Sequence, residues 1–543
     1  DIHDVLLQAR QDITNWISQP AKARVLGVLS VGEKSGRKMT IDRLYTAAVD
    51  ELHPIKKYVD ALFPEGVDFD KDPFKKAWLS RGWAGKAETL LNYGIVDKDY
   101  KKIGPSLKEI LDPVKANLDD FRAYITAKRA IELHGRDIES GITLEDAEQV
   151  VKELETPEFV KAQKKLVEFS DALVDVLVDA QILDKAGADT FRAMNENYVP
   201  FYRVFEEMGG SHGYGKTGYA NLGNPVKRMK GSQRDIVDPL ESIVRNAFFF
   251  TNVAERNNVG RLVVELAERK QGSGKWVEKV PASMRPVTFG LSEIREALEG
   301  IGVDTDGLDL DNAATIFRPS PFPAGKENIL TVWREGKKGF YQVEPELYRA
   351  LLSLDKESAN MLINLLSKPA ALLRAGATLS PDFMVRNPIR DMWTALVYSK
   401  YGYKPADFAK GLFSILKKDD LYWKFHASGA AHGAMVSLDR DYLQGSLRGM
   451  LQTSAKDKAK TLLLNPLELL RALSEYGEMA TRLGEFGRGV KAEGQTGEGV
   501  RKAALSARDV TLDFARWGYV GKIPNRVIAF FNANVQGMDK MVR

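Results

Sequence analysis

The chain has 543 residues, of which 44% are hydrophobic and 28% are charged. This length exceeds what one hydrophobic core organises, so we expect two to four packed lobes. The 78 Lys and Arg against 74 Asp and Glu leave a net charge of only +4, which excludes a global field that draws the whole molecule onto nucleic acid. The absence of cysteine excludes disulfides, thiolate nucleophiles and Cys-ligated metal sites.

The first residue and the hydropathy of the sequence predict whether the chain is part of a longer one and whether it crosses a membrane. It opens at Asp1 without an initiator methionine, so we expect a processed or excised piece of something longer. No run approaches 18 apolar residues, which predicts that no helix spans a membrane.

A recurring pair, an Asx, Ser or Thr residue followed by proline, predicts helix starts along the chain. The side-chain oxygen caps free backbone N–H groups, and proline tolerates the first helical turn. The pairs are Asp72-Pro73, Asp112-Pro113, Thr156-Pro157, Asp238-Pro239, Ser380-Pro381, Asn387-Pro388 and Asn465-Pro466. One apolar stripe that follows ends at Gly135, a predicted C-cap, and contains Val114, Leu118, Phe121 and Ile125.

The longest periodic pattern follows Pro157. Its apolar residues repeat every seven positions in two interleaved series: Phe159, Leu166, Leu173 and Ala180, with Ala162, Phe169, Val176 and Leu183. Such a seam predicts a long helix packed on another helix. Packing within this chain is favoured over an intermolecular coiled coil, because four heptads are common in bundles.

The region from Gln271 to Val343 departs from the helical pattern. It is rich in Gly, Pro and β-formers, and residues 328–334 and 338–343 flank Glu335-Gly336-Lys337 like a hairpin. We expect strand mainly from Thr315 to Val343, and a loop at the Gly-rich break from Gly484 to Gly499.

The predicted fold is therefore mainly α, a multi-lobed array of helical bundles with a small α+β insert that contains the hairpin. Four regions are expected: a helical region at 1–111, a bundle with the heptad helix and a basic loop at 112–270, the insert at 271–345, and a helical region at 346–543.

A Gly-rich stretch carries the clearest candidate binding residues. Residues 210–217 (GSHGYGKT) match the phosphate-loop spacing, but the following Gly, Asn and Pro residues cannot propagate the helix that such a loop needs. The alternative is a mobile loop whose basic residues follow a phosphate backbone or another anionic surface, with Tyr214 and Tyr219 nearby to stack on bases. These residues are Lys216, Lys227, Arg228, Lys230 and Arg234.

No pattern predicts catalysis or metal binding. Glu139-Ser140 is similar to the glutamate-serine pair of lytic transglycosylases, but other blocks of that family are absent, and Glu139 is expected to precede a helix capped by Thr143. The acidic stretch at 304–312 has the wrong spacing for an EF-hand, and the six histidines contain no zinc-hydrolase pair. We therefore expect no catalytic residue, metal, cofactor or small-molecule substrate.

An amphipathic stripe lies near the end of the sequence, where the predicted helix runs from Pro524 to Arg543. Its apolar residues recur at four, four, three and four: Val527, Phe531, Val535, Met538 and Val542. The stripe predicts an assembly or membrane-contacting surface, with packing into the chain's own core as the alternative. It stops without a terminator, so we expect the natural chain to continue.

Four stretches in order resemble one family. They read NYVPFYR at 197–203, GSQRDIVDPLESIVRN at 231–246, SPDFMVRNPIRD at 380–391 and AFFNANVQG at 529–537. Together they resemble the large polyvalent protein-associated domain family numbered thirty-eight in its series. The likeness spans most of the chain from about Asp112 onward.

This resemblance implies a non-enzymatic structural or ejection module of a giant bacteriophage or mobile-element protein. Such a module is packaged or transferred with DNA, lies in the virion interior and enters the host cytoplasm or envelope after delivery. The implied partners are further copies, other virion proteins, DNA or a membrane surface. The alternatives are an anti-restriction or host-takeover binding protein, and part of an NTP-dependent or peptidoglycan-cleaving enzyme whose active domain lies elsewhere.

Overall fold

A computed structural model describes most of the chain, and the fold is mainly α with small sheets, as the sequence predicts. The described residues are 41–200, 236–270, 272–281, 284–288, 315–319, 328–354, 381–431, 440–451, 466–511, 516, 518 and 531–542.

The helices vary widely in length, from one turn to 31 residues. In chain order they are α1 Ile41–Ala48, α2 His53–Leu62, α3 Pro73–Ser80, α4 Trp83–Asn92, α5 Leu107–Leu111, α6 Leu118–His134, α7 Leu144–Leu154, α8 Pro157–Asp179, α9 Lys185–Ala193, α10 Pro239–Arg269, α11 Pro345–Leu352, α12 Pro381–Tyr398, α13 Pro405–Lys417, α14 Asp420–Ala427, α15 Arg440–Leu451, α16 Pro466–Glu493, α17 Gly497–Asp509 and α18 Phe531–Val542.

The strands form three small antiparallel sheets: β1 with β2, β4 with β5, and a three-stranded sheet in the order β3-β7-β6. Their bounds are β1 Ile95–Val96, β2 Lys102–Gly104, β3 Val277–Val280, β4 Met284–Thr288, β5 Thr315–Pro319, β6 Ile329–Arg334 and β7 Lys337–Val343. The predicted hairpin is confirmed as β6-β7. Its turn, Glu335-Gly336, has positive φ at both residues (47° and 70°), as a two-residue hairpin turn requires. Strands β1 to β4 lie outside the range that the sequence predicted.

The chain divides into two compact units that are discontinuous in sequence. Unit 1 contains Asp1–Pro54, Glu357–Met384 and Leu512–Arg543, and unit 2 contains Ile55–Lys356 and Val385–Thr511. The predicted regions 1–111, 112–270, 271–345 and 346–543 do not coincide with these units. All three of their boundaries lie inside unit 2, where one core cluster takes residues from both sides of the first boundary.

Helix α10 lies at the centre of the unit 2 core. It begins at Pro239, capped by the Asp238 carboxylate, which accepts a hydrogen bond from the Leu240 N–H at 2.9 Å. Most of its residues are buried on every side, and it packs against α3, α4, α8 and β6. The heptad seam of α8 is buried in this same cluster, as intramolecular packing predicts, although the helix ends at Asp179, before Leu183.

One buried asparagine ties α10 to the hairpin. The Asn257 side-chain amide donates to the carbonyls of Ala180 (2.7 Å) and Trp333 (2.9 Å), and its oxygen accepts from the Trp333 N–H at 2.8 Å. A buried amide is costly unless it is hydrogen-bonded, and here both of its ends are satisfied. The insert is therefore fixed to the helical core through a polar anchor.

A second core cluster of unit 2 joins α13, α14, α16 and α17. The Gly-rich stretch from Gly484 to Gly499 belongs to it, so the predicted loop there is wrong. Helices α16 and α17 occupy the stretch apart from residues 494–496. A Cβ at Gly484 would lie 2.5 Å from the Asp407 carbonyl oxygen, so this glycine serves close helix packing rather than chain reversal.

Two of the seven predicted helix starts are also wrong. Asp112 ends α5 and begins a 3₁₀ segment, Asp112–Asn117, with no side-chain cap. Pro388 lies inside α12, which begins one to two turns earlier at Pro381. The cap-proline starts at residues 72, 156 and 238 are confirmed by side-chain hydrogen bonds, while Ser380 and Asn465 lie outside the described residues.

In the described part of unit 1, the buried Arg516 joins residues that are distant in sequence. The Arg516 guanidinium donates to the carboxylates of Asp50 at 3.0 Å and Asp539 at 2.8 Å, and to the Tyr45 hydroxyl. The Gln536 amide donates to the Val49 carbonyl at 2.8 Å. These contacts hold α18 against the chain that follows α1.

Candidate contact surface

Helix α12 exposes its large apolar side chains. Trp393 is 65% exposed, Val397 75% and Ile389 44%, and the spacing of four places all three on one side of the helix. The inward positions hold Asp391 and Ala395, which are 4% and 0% exposed. Met392 and Ala395 pack in a small apolar cluster, so the described part of α12 has apolar residues on its inward side as well as on its outward side.

Helix α13 also exposes large apolar side chains, although it buries one as well. Phe413 and Leu416 are 56% and 68% exposed, whereas Asp407, Gly411, Ser414 and Ile415 are buried. We call the exposed apolar residues, Ile389, Trp393 and Val397 of α12 with Phe413 and Leu416 of α13, the α12–α13 face. Exposed apolar groups of this size mark a contact surface where they lie side by side.

Helices α13 and α16 approach each other closely. A Cβ at Gly411 would lie 2.1 Å from the Ala480 carbonyl oxygen, so the two backbones touch where a larger residue would separate them. At this point of contact only a small residue fits, whereas Ile415 of the same helix is buried in the core beside it. Phe413 and Leu416 lie on the outward side of the helix.

The buried carboxylate of Asp407 holds α13 in this orientation. It accepts hydrogen bonds from the Lys404 N–H and the Lys410 ammonium, both at 2.9 Å, and from the Arg488 guanidinium of α16. Burial alone would raise the pKa of Asp407, but the hydrogen bonds from Arg488 and Lys410 hold it below the ordinary value. The carboxylate therefore acts as a structural anchor in its charged form.

A second buried carboxylate, Glu485, fixes the turn between α12 and α13. It accepts from the hydroxyls of Ser399 at 2.6 Å and Ser506 at 2.7 Å. The Ser399 hydroxyl oxygen in turn accepts from the N–H groups of Tyr401 (3.1 Å) and Tyr403 (2.8 Å). The two helices are thus linked by a hydrogen-bonded turn, which fixes the backbone that carries the exposed side chains.

The carboxyl group of Asp391 has an unusual environment. Burial raises its pKa to about 6, repulsion by Glu478 adds to this, and Arg390 and Arg482 oppose it. A raised carboxyl pKa suits a general acid, but such shifts also arise in structural networks. Asp391 faces α16 rather than the exposed stripe, which places it in the packing between helices.

Most of the charged side chains exposed along α12 and α13 are basic, although the exposed Asp420 directly follows this stretch. Among the described residues 388–418, both acidic side chains, Asp391 and Asp407, are buried. The basic residues in the same stretch are all exposed, and they are Arg390, Lys400, Lys404, Lys410, Lys417 and Lys418. The Lys417 ammonium lies 4.5 Å from the centre of the Phe413 ring, so positive charge directly adjoins the apolar surface.

An ionisable cluster around Glu255 in unit 2 is structural. Glu255 of α10 pairs with Lys76 at 3.2 Å and Lys86 at 2.7 Å, and all three side chains are largely buried. Burial would raise the pKa of Glu255, yet the two ammonium groups lower it to about 2. A carboxylate held so firmly in its charged form is a poor acid or base near neutral pH.

The buried histidine of α14 is likewise not arranged for proton transfer. Burial and the charge of Lys418 lower the pKa of His426 to about 3, so the ring is neutral at physiological pH. Within the described part of the chain neither ring nitrogen has a hydrogen-bond partner. The ring packs against Tyr422, at 4.4 Å between centroids, inside the aromatic core.

Glu139 lies in the loop between α6 and α7, where it is exposed. Ser140 is buried and exchanges hydrogen bonds with the backbone of Ile142, and Thr143 caps α7, as predicted. No group of three His, Asp or Glu residues that could hold a metal occurs among the described residues. Nor does any described helix combine the length and apolar character needed to cross a bilayer.

The candidate residues of the basic loop, Lys216, Lys227, Arg228, Lys230 and Arg234, lie outside the described residues, as do residues 304–312. The structure therefore does not place this predicted binding site.

The predicted C-terminal stripe is described in part. Met538 is 62% exposed and Val535 half-buried, while Val527 and the side chains of Phe531 and Val542 lie outside the described residues. Among the side chains of α18 that the structure describes, residues 535–540, the most buried are the polar Gln536 and Lys540, which are 3% and 6% exposed.

The sequence reading missed the α12–α13 face, although its spacing is visible in the sequence. The same spacing is compatible with a stripe buried in the core, because most amphipathic stripes pack inward. This holds for Trp393 and Val397 and for Phe413 and Leu416. A signal that could have drawn attention to α13 is the set Asp407, Gly411 and Ser414 on the side opposite Phe413 and Leu416, although the apolar Ile415 is buried too. Comparison of the chain with protein-family models, curated proteins and solved structures finds no match.

Proposed function

We propose that this chain is a non-enzymatic structural or ejection module of a bacteriophage or mobile-element polyvalent protein, which is packaged or delivered with DNA and acts through contact surfaces. The observation that carries the proposal is the α12–α13 face. Its large apolar side chains are exposed on a frame fixed by Asp407 and Glu485. A surface of this kind is typical of proteins that work by binding another surface.

Helix α18 gives independent support from unit 1. Its polar residues Gln536 and Asp539 bind the rest of that unit, and Met538 on another side of the helix is exposed. An inward polar side and an outward apolar residue are the reverse of ordinary core packing. The resemblance of four sequence stretches to the polyvalent-protein family supplies the biological setting.

The proposal is tested by measuring association and catalysis on the same preparation. We expect self-association, DNA binding or vesicle binding, measured by sedimentation, and no ATP hydrolysis or peptidoglycan cleavage. The variant Trp393→Ser/Leu416→Ser should weaken an association made through the α12–α13 face without changing the helical circular dichroism. The control Ile103→Ser/Met194→Ser removes apolar residues of similar exposure (67% and 51%) elsewhere and should leave association unchanged.

The enzymatic alternatives have their own variants. Lys216→Ala tests a nucleotide site, and Glu139→Gln tests a peptidoglycan-cleaving acid. ATP hydrolysis that disappears in the first variant, or peptidoglycan cleavage that disappears in the second, would overturn the proposal.

A further inference from the structure

We propose that the α12–α13 face binds the surface of a bilayer that contains anionic lipids, an inference that rests on the proposed contact function and names its partner. The face presents Trp393 and Phe413, whose rings suit the boundary between headgroups and acyl chains, together with the aliphatic Val397 and Leu416. Helices that lie on a membrane carry such residues beside lysine and arginine.

Charge complementarity selects anionic lipid. Between residues 388 and 418 the two acidic residues, Asp391 and Asp407, are buried, so the exposed charges of this stretch are basic; the exposed Asp420 follows it. Within the described residues Lys404 and Lys417 have no carboxylate within ion-pair distance, so both are available to lipid phosphates. Lysines near a membrane surface are attracted by its negative potential and keep their charged ends at the headgroups.

A second copy of the chain fits the face less well. In a two-fold dimer the same patch meets itself, so the basic residues around one face would approach those around the other. No exposed acidic residue lies between residues 388 and 418 to compensate this repulsion. An anionic bilayer covers the apolar residues and neutralises the lysines together.

DNA is also a poorer occupant. A phosphate backbone would satisfy Lys404 and Lys417, but it would leave Trp393, Val397 and Leu416 against a charged, hydrated surface. Those side chains gain little from contact with phosphate, whereas the acyl region of a bilayer removes them from water.

Buried hydrogen bonds fix the conformation of α12 and α13 before any lipid binds. Glu485 binds Ser399 in the turn and Ser506 of α17, and Asp407 binds Arg488 of α16. Because the frame is fixed by buried hydrogen bonds, binding does not have to order it. We therefore expect adsorption without a gain of helix.

The experiment is co-sedimentation of the chain with vesicles of phosphatidylcholine and phosphatidylglycerol, and with vesicles of phosphatidylcholine alone. We expect partitioning onto the mixed vesicles that weakens with added salt, and weak partitioning onto the neutral ones. Lys404→Gln/Lys417→Gln should lower partitioning roughly 25-fold, about fivefold for each charge lost. Lys161→Gln/Lys164→Gln removes two exposed lysines of α8 and is the charge-matched control.

The apolar part of the face is tested with two substitutions of the same residue. Trp393→Ser should reduce partitioning, whereas Trp393→Phe keeps an aromatic ring and should retain most of it. Brominated lipids should quench part of the tryptophan emission of the wild type, and Trp393→Phe should lose that part although seven other tryptophans remain of the eight in the chain. This places the residue at the bilayer independently of affinity.

The outcomes separate the two proposals. Equal binding to neutral and anionic vesicles, no vesicle binding at low salt, or unchanged binding in both face variants would overturn the lipid inference. If the face variants instead abolish self-association or DNA binding, the lipid inference fails and the contact function stands. If the chain shows no association of any kind, both fail.

Discussion

Helices α10 and α13 both bury polar side chains, but they differ in where their large apolar residues lie. In α10 these residues point into the core on all sides, and the buried Glu255 and Asn257 are matched by partners from other elements. In α13 the polar Asp407 is buried while Phe413 and Leu416 are exposed. The comparison shows that a helix's burial pattern follows from how closely its neighbours approach, and not from hydrophobicity alone.

The buried ion pairs of α10 should show the largest effect. Glu255→Gln leaves Lys76 and Lys86 without their counter-charge, so we expect a loss of about 3–5 kcal/mol in the free energy of unfolding, measured by urea denaturation. The matched control on the same helix is Glu268→Gln, whose carboxylate is 49% exposed opposite Arg334. It should cost less than about 1 kcal/mol. Equal losses would show that burial adds nothing to the Glu255 pairs.

Lowering the pH is a second test of the buried ion pairs of Glu255. The pKa of Glu255 is lowered to about 2, because Lys76 and Lys86 outweigh the effect of burial. Since this folded-state pKa lies below the unfolded value of about 4.3, the stabilisation is present above pH ~4.5 and is lost as pH falls towards ~2. The wild type should therefore lose stability over this range more steeply than Glu255→Gln. Parallel pH profiles from urea denaturation would contradict this account.

The close approach of α13 and α16 predicts a smaller but distinctive effect. Gly411→Ala places a Cβ 2.1 Å from the Ala480 carbonyl oxygen, so we expect a loss of about 2–3 kcal/mol as the backbones separate. Gly445→Ala in α15 meets no atom within 4 Å and should stabilise by about 0.5–1 kcal/mol, because alanine is the better helix former. Thermal denaturation measures both. If both substitutions change the stability in the same direction, the contact between Gly411 and Ala480 is not tight.

The smallest effect is expected on the α12–α13 face itself. Leu416→Ala removes a side chain that is 68% exposed and should change stability by less than about 0.5 kcal/mol. Leu483→Ala, in the core of α16 and 0% exposed, should cost about 2–5 kcal/mol. If Leu416→Ala destabilises as strongly in urea denaturation, its face is part of the folded core and not a contact surface.

The features that the sequence predicted correctly depend on neighbouring residues. Thr156 caps α8 through the Phe159 N–H three residues away, and Thr143 caps α7 in the same way. The hairpin turn at Glu335-Gly336 needs only two residues with positive φ between two strands. The predicted mainly α fold follows from many such local signals added together.

The errors occur where distant residues decide the structure. Gly484 and Gly489 suggested a loop, but they lie in a helix, where Asp407 and Ala503 leave no room for a Cβ at either position. Helix propensity is a weak preference that tertiary contacts override. For the same reason the spacing of Phe413 and Leu416 is compatible with an apolar stripe but does not tell on which side of α13 such a stripe lies.

The sequence by itself determined the secondary structure near strong caps and turns, since those hydrogen bonds join residues within one turn of each other. Only the tertiary structure decided which helix faces are buried. The Asp407–Arg488 contact spans 81 positions, and the Gly411 approach depends on Ala480. One chain position cannot specify such a contact, because the free energy belongs to the pair and exists only when packing brings the two together.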